Sequence, residues 1–179
     1  MIFTEQIIQG IFLIKPEAYE DSRGSFRRTF CNSEFKKNNI DFSVNQGNIS
    51  ENINAYTMRG FHYQRQPYSE AKILTPVTGK IYNVVVDLRH SSRTFLKYFS
   101  LELSSEKRES LYIPPGCANA FLTMKQNTII HYYMGDYFKP ELYSGFRYND
   151  PFFNIHWPQT VKVISERDNS FPDFNLDLL

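Results

Sequence analysis

The sequence predicts an all-β protein built as a double-sheet jelly roll or a barrel, whose open end would be the ligand site. Phe, Tyr and Trp make up 16% of the 179 residues, and aromatic residues favour strands. From Gly79 onward, segments of strand length show alternating polarity, as half-buried strands do. These segments recur at a spacing of about ten residues between turns rich in Gly and Pro, which indicates successive antiparallel strands.

Length and charge set the domain number and exclude two classes of partner. A chain of 179 residues predicts one domain that spans residues 1–179. Lys and Arg total 20 against 19 Asp and Glu, a formal net charge of +1. This balance leaves no general positive excess for a nucleic acid or an anionic lipid surface. We therefore expect neither nucleic acid nor membrane as a partner.

The cysteines and the N-terminal segment predict a cytoplasmic protein. Cys31 and Cys117 are too few for a disulfide framework and do not form a C-x-x-C pair. No apolar run approaches the ~20 residues of a membrane span. Glu5 lies where a signal peptide needs basic and then apolar residues. We expect both thiols to be reduced.

In the first half of the chain, one helix is predicted over residues 32–39, NSEFKKNN. Asn32 or Ser33 would cap its N-terminus, and Glu34 lies in the first turn, where a carboxylate is favourable. The helix is short, so we expect it at the periphery of the sheets.

In the second half, five strands follow one another. The first, KIYNVVVDL, places Val84 and Val86 on one face and Val85 and Asp87 on the other. The later segments are LKYFSLEL, ESLYIP, NAFLTM and NTIIHYYMG. The tail from Ser165 to Leu179 shows little periodicity, and we expect it to lie across the sheets as coil or a short helix.

Four polar side chains occupy strand positions that can face a barrel interior. His62 follows Gly60 in MRGFHYQ, and the alternative for it is a hydrogen-bonded core imidazole. Lys72 lies in an apolar strand, where its ammonium must reach the surface or serve an anion inside. Tyr132 shares a face with Ile130 and could equally be a core tyrosine, and Asn119 follows a Pro-Pro-Gly turn that could be a plain hairpin.

A metal site is the main competing interpretation, as in a metal-dependent cupin oxygenase. Such sites in small barrels combine an H-x-H pair, a carboxylate and a later His. Gln64 stands two residues after His62, and His90, His131 and His156 supply no second ligand at a useful spacing. We therefore expect no metal.

A series of short motifs runs in order along nearly the whole chain. They are DSRGSF (21–26), QGNIS (46–50), RGFHYQ (59–64), DLR (87–89), SRT (92–94), PGCA (115–118), NDP (149–151), WP (157–158) and SERD (165–168), with Lys72 and Tyr132 between them. This set resembles the dTDP-4-dehydrorhamnose 3,5-epimerase family. The resemblance implies a cupin-type jelly-roll β-barrel with a few short peripheral helices, a homodimer, no cofactor, and a role in deoxysugar biosynthesis for surface polysaccharide.

The resemblance also implies a reaction. In this family the substrate is a nucleotide-linked 4-keto-6-deoxy sugar, whose ketone acidifies the C–H bonds at C3 and C5. By the motif match His62 is the base, and Asp168 is its partner, which would orient the imidazole and favour its charged form. Tyr132 is the acid on the opposite face of the sugar. Lys72, with Arg59 as a second candidate, would stabilise the enolate oxygen.

The same match implies a set of residues that bind nucleotide, diphosphate and sugar. They are Arg23, Phe26, Arg28, Gln46, Asn48, Arg59, Asn119, Tyr143 and Arg167. Arginine suits paired phosphate oxygens through its bidentate geometry. Strict alternation places Arg59 on the strand face opposite His62, so a bulge at Gly60 is needed to bring both into one cavity.

Departures from the family pattern leave the nucleobase, the sugar and the number of inverted carbons open. Arg28 and Tyr143 stand where Glu is common, the loop between Asn48 and Arg59 is one residue longer, and Asn119 replaces a His. An Asn can donate a neutral hydrogen bond but cannot shuttle a proton. The alternatives are a 3- or 5-monoepimerase acting on a GDP- or CDP-linked 4-keto hexose or heptose, and a non-catalytic sugar-nucleotide binder.

Overall fold

The computed structural model describes residues 1–178. Its strands are β1 (Ile2–Glu5), β2 (Phe12–Lys15), β3 (Ala18–Asp21), β4 (Gly24–Arg27), β5 (Gln46–Asn52), β6 (Met58–Gln64), β7 (Lys72–Thr78), β8 (Lys80–Asp87), β9 (Tyr98–Ser104), β10 (Ser110–Ile113), β11 (Cys117–Thr123), β12 (Thr128–Met134) and β13 (Tyr143–Gly145). The helices are α1 (Asn32–Lys37), α2 (Glu166–Asn169) and a 3₁₀ turn, Leu176–Leu178. No helix among these residues is long and apolar enough to cross a membrane.

Two antiparallel sheets form the jelly roll, which confirms the predicted fold class. The six-stranded sheet has the order β1-β2-β10-β7-β12-β5, and the five-stranded sheet has the order β13-β6-β11-β8-β9. Strands β3 and β4 pair only with each other and form a separate hairpin. The faces of the two sheets that meet bury an apolar core that includes Leu74 of β7, Ile130 of β12 and Val85 of β8.

The predicted alternation in β8 is confirmed. Val85 packs in the core between the sheets, whereas Val84 and Val86 pack on the other face of the five-stranded sheet. Aromatic residues of the C-terminal third, including Phe146 and Trp157, cover that second face. The predicted strand β8 therefore separates two apolar layers, as its alternating pattern requires.

Helix α1 is confirmed, but its predicted cap is wrong. The N-cap residue is Cys31, whose side chain makes no capping hydrogen bond. Asn32 and Ser33 lie inside the first turn. The start of the helix follows from tertiary packing, because Phe35 is fully buried against Phe42 and Tyr112 on the outside of the six-stranded sheet.

A β-bulge at Gly60 interrupts the pairing of β6 with β11, as the sequence required. His62 pairs with Asn119 and Arg59 pairs with Phe121, so two residues of β6 oppose one residue of β11. Gly60 has a φ of +111°, and a Cβ there would lie 2.5 Å from the Asn119 carbonyl oxygen. Because the bulge adds one residue, Arg59 and His62 reach the same side of the sheet.

Candidate active site

One end of the jelly roll opens into a cleft of about 440 Å³ between the two sheets. Its lining consists of Gln46, Asn48, Ile49, Ser50, Glu51, Arg59, His62, Lys72, Leu74, Asn119, Phe121, Tyr132, Met134, Phe138 and Tyr143. The alternation of side chains along a strand explains why every second residue lines the cleft. Lys72 and Leu74 of β7 face inward, as do Tyr132 and Met134 of β12. Eight residues of the predicted site therefore meet in one cavity.

His62 and Asp168 form a hydrogen-bonded pair in the wall of the cleft. The distance from His62 Nε2 to Asp168 Oδ1 is 2.8 Å, and the Gly60 amide donates to Asp168 Oδ2 at 3.1 Å. The Ser165 hydroxyl caps α2 by accepting the Asp168 amide at 3.0 Å. A carboxylate can only accept, so Nε2 carries the hydrogen and Nδ1 is the basic nitrogen.

The environment keeps this imidazole neutral. Burial lowers the pKa of His62, the Asp168 carboxylate raises it, and the nearby Lys72 and Arg167 cations lower it further, with a net result below the ordinary value. As expected, Asp168 favours the charged imidazole, but burial lowers the pKa of His62 by more than Asp168 raises it. For Asp168 burial raises the pKa, yet hydrogen bonds from His62 and Gly60 outweigh it and hold the net pKa below its usual range. His62 is thus prepared to accept a proton at neutral pH.

Tyr132 extends from β12 in the six-stranded sheet, so its ring and the His62 imidazole line opposite walls of the cleft. Burial raises the pKa of the phenol, Arg59 partly offsets this effect, and Glu70 adds to it. The phenol therefore stays protonated at neutral pH, which is the form that can donate a proton.

Two cationic side chains share the cleft with these rings. The Lys72 ammonium lies 2.8 Å from Glu70 Oε1. The Arg59 guanidinium donates to Asn52 Oδ1 at 2.8 Å. Among residues 1–178, no group of three or more His, Cys, Asp or Glu side chains is placed to hold a metal ion.

Asn119 differs from its expected role as a donor. Its amide nitrogen donates to Asn83 Oδ1 and to the Val84 carbonyl oxygen, each at 2.9 Å. Both N–H groups are therefore used within the wall, and only the oxygen is left for a ligand. Asn48 offers the opposite chemistry, because its amide nitrogen is buried and has no hydrogen-bond partner among residues 1–178.

Tyr143 and Arg167 are stacked beside His62. The Arg167 guanidinium lies 4.5 Å from the centre of the Tyr143 ring, and that ring lies 5.2 Å from the His62 ring. Tyr143 lines the cleft, whereas Arg167 is absent from the lining and supports Tyr143 from α2. Where the family commonly has Glu, this chain therefore has an aromatic ring that shields His62 and interacts with a cation.

Three predicted binding residues do not reach the cleft of their own chain. Arg23 is 87% exposed and pairs with Asp21 at 2.6 Å. Phe26 is 73% exposed, and Arg28 donates to Glu34 at 3.2 Å. Among the described residues, the β3–β4 hairpin pairs with neither sheet, so the assignment of these three residues to the substrate stays a prediction.

Several site residues were missed by the sequence analysis. Glu70 lies two residues before Lys72 and outside β7, so strand alternation gives no signal for it. Asn83 and Ser165 act through Asn119 and Asp168 respectively, and no local signal marks such contacts. Phe138 lines the cleft although it lies in an irregular segment without periodicity.

Comparison with known proteins identifies relatives over the whole fold. The family model described as dTDP-4-dehydrorhamnose 3,5-epimerase matches residues 5–175. The enzyme of that name from Sinorhizobium fredii is 36% identical over 173 residues, which cover 96% of this chain and 89% of the relative. The Legionella pneumophila epimerase, solved with dTDP-4-keto-L-rhamnose, superposes with a TM-score of 0.92 at 28% identity, covering 99% of this chain and 96% of that one. A 3'-monoepimerase from Streptomyces bikiniensis, solved with dTDP-quinovose, gives 0.87 at 28% identity, covering 94% and 85%.

Proposed function

Because the chain belongs to the dTDP-4-dehydrorhamnose 3,5-epimerase family, we propose that it epimerises a dTDP-linked 4-keto-6-deoxyhexose at C3 and C5. One observation carries this proposal. A neutral imidazole and a protonated phenol line opposite walls of the cleft. Inversion at a carbon next to a ketone needs a base on one face and an acid on the other.

The proposed reaction begins when His62 Nδ1 takes the proton from C3 or C5. The resulting imidazolium is stabilised by the Asp168 carboxylate at 2.8 Å. The electron pair of the broken C–H bond moves to the ketone oxygen, and the Lys72 ammonium stabilises this enolate. The Tyr132 hydroxyl then delivers its proton to the opposite face of the carbon. Exchange with water returns the imidazole and the phenol to their starting forms.

The nucleotide would occupy the part of the cleft lined by β5. The unpartnered amide nitrogen of Asn48 offers a donor to the ligand, and Arg59 offers a cation for the diphosphate. Gln46 has one acceptor already engaged, since its Oε1 accepts the Phe138 amide at 2.7 Å. Free thiols at Cys31 and Cys117 support the proposed cytoplasmic location, where reduced cysteines persist.

Replacing Tyr132 by Phe tests the two-face mechanism directly. In D₂O the Tyr132→Phe variant should still exchange hydrogen for deuterium at the reacting carbon, because His62 can take a proton and return a deuteron on the same face. Inversion should fall by about 10²-fold. NMR of the sugar measures exchange and inversion in one sample. Tyr133→Phe is the matched control, because Tyr133 lies outside the cleft lining. Inversion by Tyr132→Phe at the wild-type rate would contradict the mechanism.

A monoepimerase is the second candidate, and Asn119 favours it. The side chain presents only its oxygen to the cleft, so it cannot donate to an enolate as Lys72 can. Wild-type enzyme in D₂O separates the candidates. Deuterium at both C3 and C5 supports the 3,5-epimerase, and deuterium at one carbon supports the monoepimerase. Binding without any exchange would indicate a non-catalytic binder.

The functional unit is proposed to be a homodimer in which each hairpin serves the partner's cleft. The family match assigns Arg23 and Phe26 to the substrate, yet both are exposed on a hairpin that pairs with neither sheet. An exposed Tyr19 on the same hairpin adds apolar surface, as an interface requires. A second copy of the chain would place these side chains beside a substrate.

Mixing two variants with different defects tests this arrangement. Phe26→Asp should raise KM by about tenfold, because it removes an aromatic contact. The Phe26→Asp variant is unfolded together with a His62→Ala variant, and the mixture is refolded. Activity should recover, because a mixed dimer holds one cleft with both His62 and an intact partner hairpin. Phe152→Asp, at an exposed aromatic residue elsewhere, is the control for KM. If the mixture is no more active at low substrate concentration than Phe26→Asp alone, the hairpin does not serve the partner.

A further inference from the structure

Glu70 is a buried carboxylate at the back of the cleft that the reaction outlined above does not use. It lies two residues before the start of β7, and its side chain is 1% exposed. Neither carboxylate oxygen accepts a hydrogen bond from any group among residues 1–178. The Lys72 ammonium, 2.8 Å from Oε1, is the charge that compensates it.

A buried carboxylate lowers the stability of the fold unless its interactions compensate for the loss of hydration. Removing a charge from water costs several kcal/mol, and a single ion pair repays this cost only in part. Stability alone therefore does not explain why the chain places Glu there. The pair is better explained by what it does to the position of the ammonium.

The Lys72 side chain is long, and its freedom matters for the reaction. Fixing a lysine side chain costs rotamer entropy. Electrostatic stabilisation of an enolate is most effective when the charge is already in place before the reaction begins. A mobile ammonium would also be drawn to the diphosphate, which is the strongest anion of the proposed substrate.

We propose that Glu70 is a positioning residue that holds the Lys72 ammonium at the sugar end of the cleft. The inference rests on the proposed function and deepens it. Lys72 lines the same cleft as His62 and Tyr132, and Glu70 contacts its ammonium. Glu70 is not among the residues that line the cleft, so it acts through Lys72.

Two substitutions of Glu70 test this role. Glu70→Leu removes the anchor at similar volume and should lower kcat by about 30-fold, because even an error of ~1 Å in a reacting group is costly. KM should stay within about threefold, because the nucleotide contacts are untouched. Glu70→Gln keeps a polar oxygen beside the ammonium and should lose only about fivefold in kcat. Glu102→Gln is the matched control, since Glu102 pairs with Lys80 at 2.7 Å outside the cleft.

The outcomes separate this inference from the proposed function. A fall in kcat for Glu70→Leu with partial rescue in Glu70→Gln supports positioning, because a purely structural role would change the melting temperature and not this order of kcat values. A Glu70→Leu kcat within twofold of wild type overturns the role of Glu70 alone. If Glu70→Leu does not fold, the Glu70→Gln variant decides by the same criterion. Absence of any C–H exchange in the wild type overturns the proposed function and this inference together.

Discussion

Replacing His62 by Ala is expected to lower kcat by about 10³- to 10⁴-fold, the range for loss of a positioned general base. The Asp168 carboxylate does not replace the imidazole, because it lies behind it in the wall and stays hydrogen-bonded to the Gly60 amide. Exchange of the C3 and C5 hydrogens in D₂O should fall to the same extent as inversion. Affinity for dTDP should not change, since His62 is assigned to the sugar end of the cleft.

His131→Ala is the control for this prediction. His131 lies on the outward face of β12, beside Tyr133 and outside the cleft lining, so its removal should leave kcat unchanged. The pH profile of the wild type is a second check. As the pH falls through the lowered pKa of His62, the imidazole gains a proton and can no longer act as base. The acid limb of kcat/KM should therefore lie below the ordinary imidazole value. Full activity of the His62→Ala variant would contradict the mechanism.

Replacing Gly60 by Ala is expected to destabilise the protein by about 3 kcal/mol, the sum of backbone strain and overpacking. The positive φ of Gly60 disfavours any residue with a Cβ, and that atom would lie 2.5 Å from the Asn119 carbonyl oxygen and 2.7 Å from the Ala120 Cα. Both of these are backbone atoms, which cannot rotate away as a side chain can. Relief requires β6 to move from β11, which would also withdraw the Gly60 amide from Asp168.

Gly24→Ala isolates the steric part of this effect. Gly24 also has a positive φ, of +123°, but an added Cβ would meet nothing within 4 Å. It should cost about 1 kcal/mol from backbone strain alone. Urea denaturation of both variants measures the difference. If Gly60→Ala is as stable as Gly24→Ala, the close approach of β6 and β11 is not rigid. Activity of Gly60→Ala should fall as well, because Arg59 and His62 depend on the bulge.

Local patterns predicted most of what lies along single strands. The inward positions of His62, Lys72 and Tyr132 follow from alternation, and the bulge at Gly60 followed from the conflict between that alternation and Arg59. The cap of α1 was wrong because burial of Phe35, not a local hydrogen bond, determines where the helix starts. The motif series predicted the family, but not the location of the β3–β4 hairpin relative to the cleft.

By itself, the sequence determined the strands between Met58 and Met134, their inward faces and the chemistry they offer to the cleft, because side-chain direction repeats every two residues and needs only neighbours along the chain. Only the tertiary structure decided which of these groups act together. His62 and Asp168 are 106 residues apart, and Asn83 and Val84 of an adjacent strand accept the hydrogen bonds that Asn119 donates. The neutrality of His62 and the burial of Glu70 were likewise decided there, because desolvation depends on which strands pack together and not on the residues within one of them.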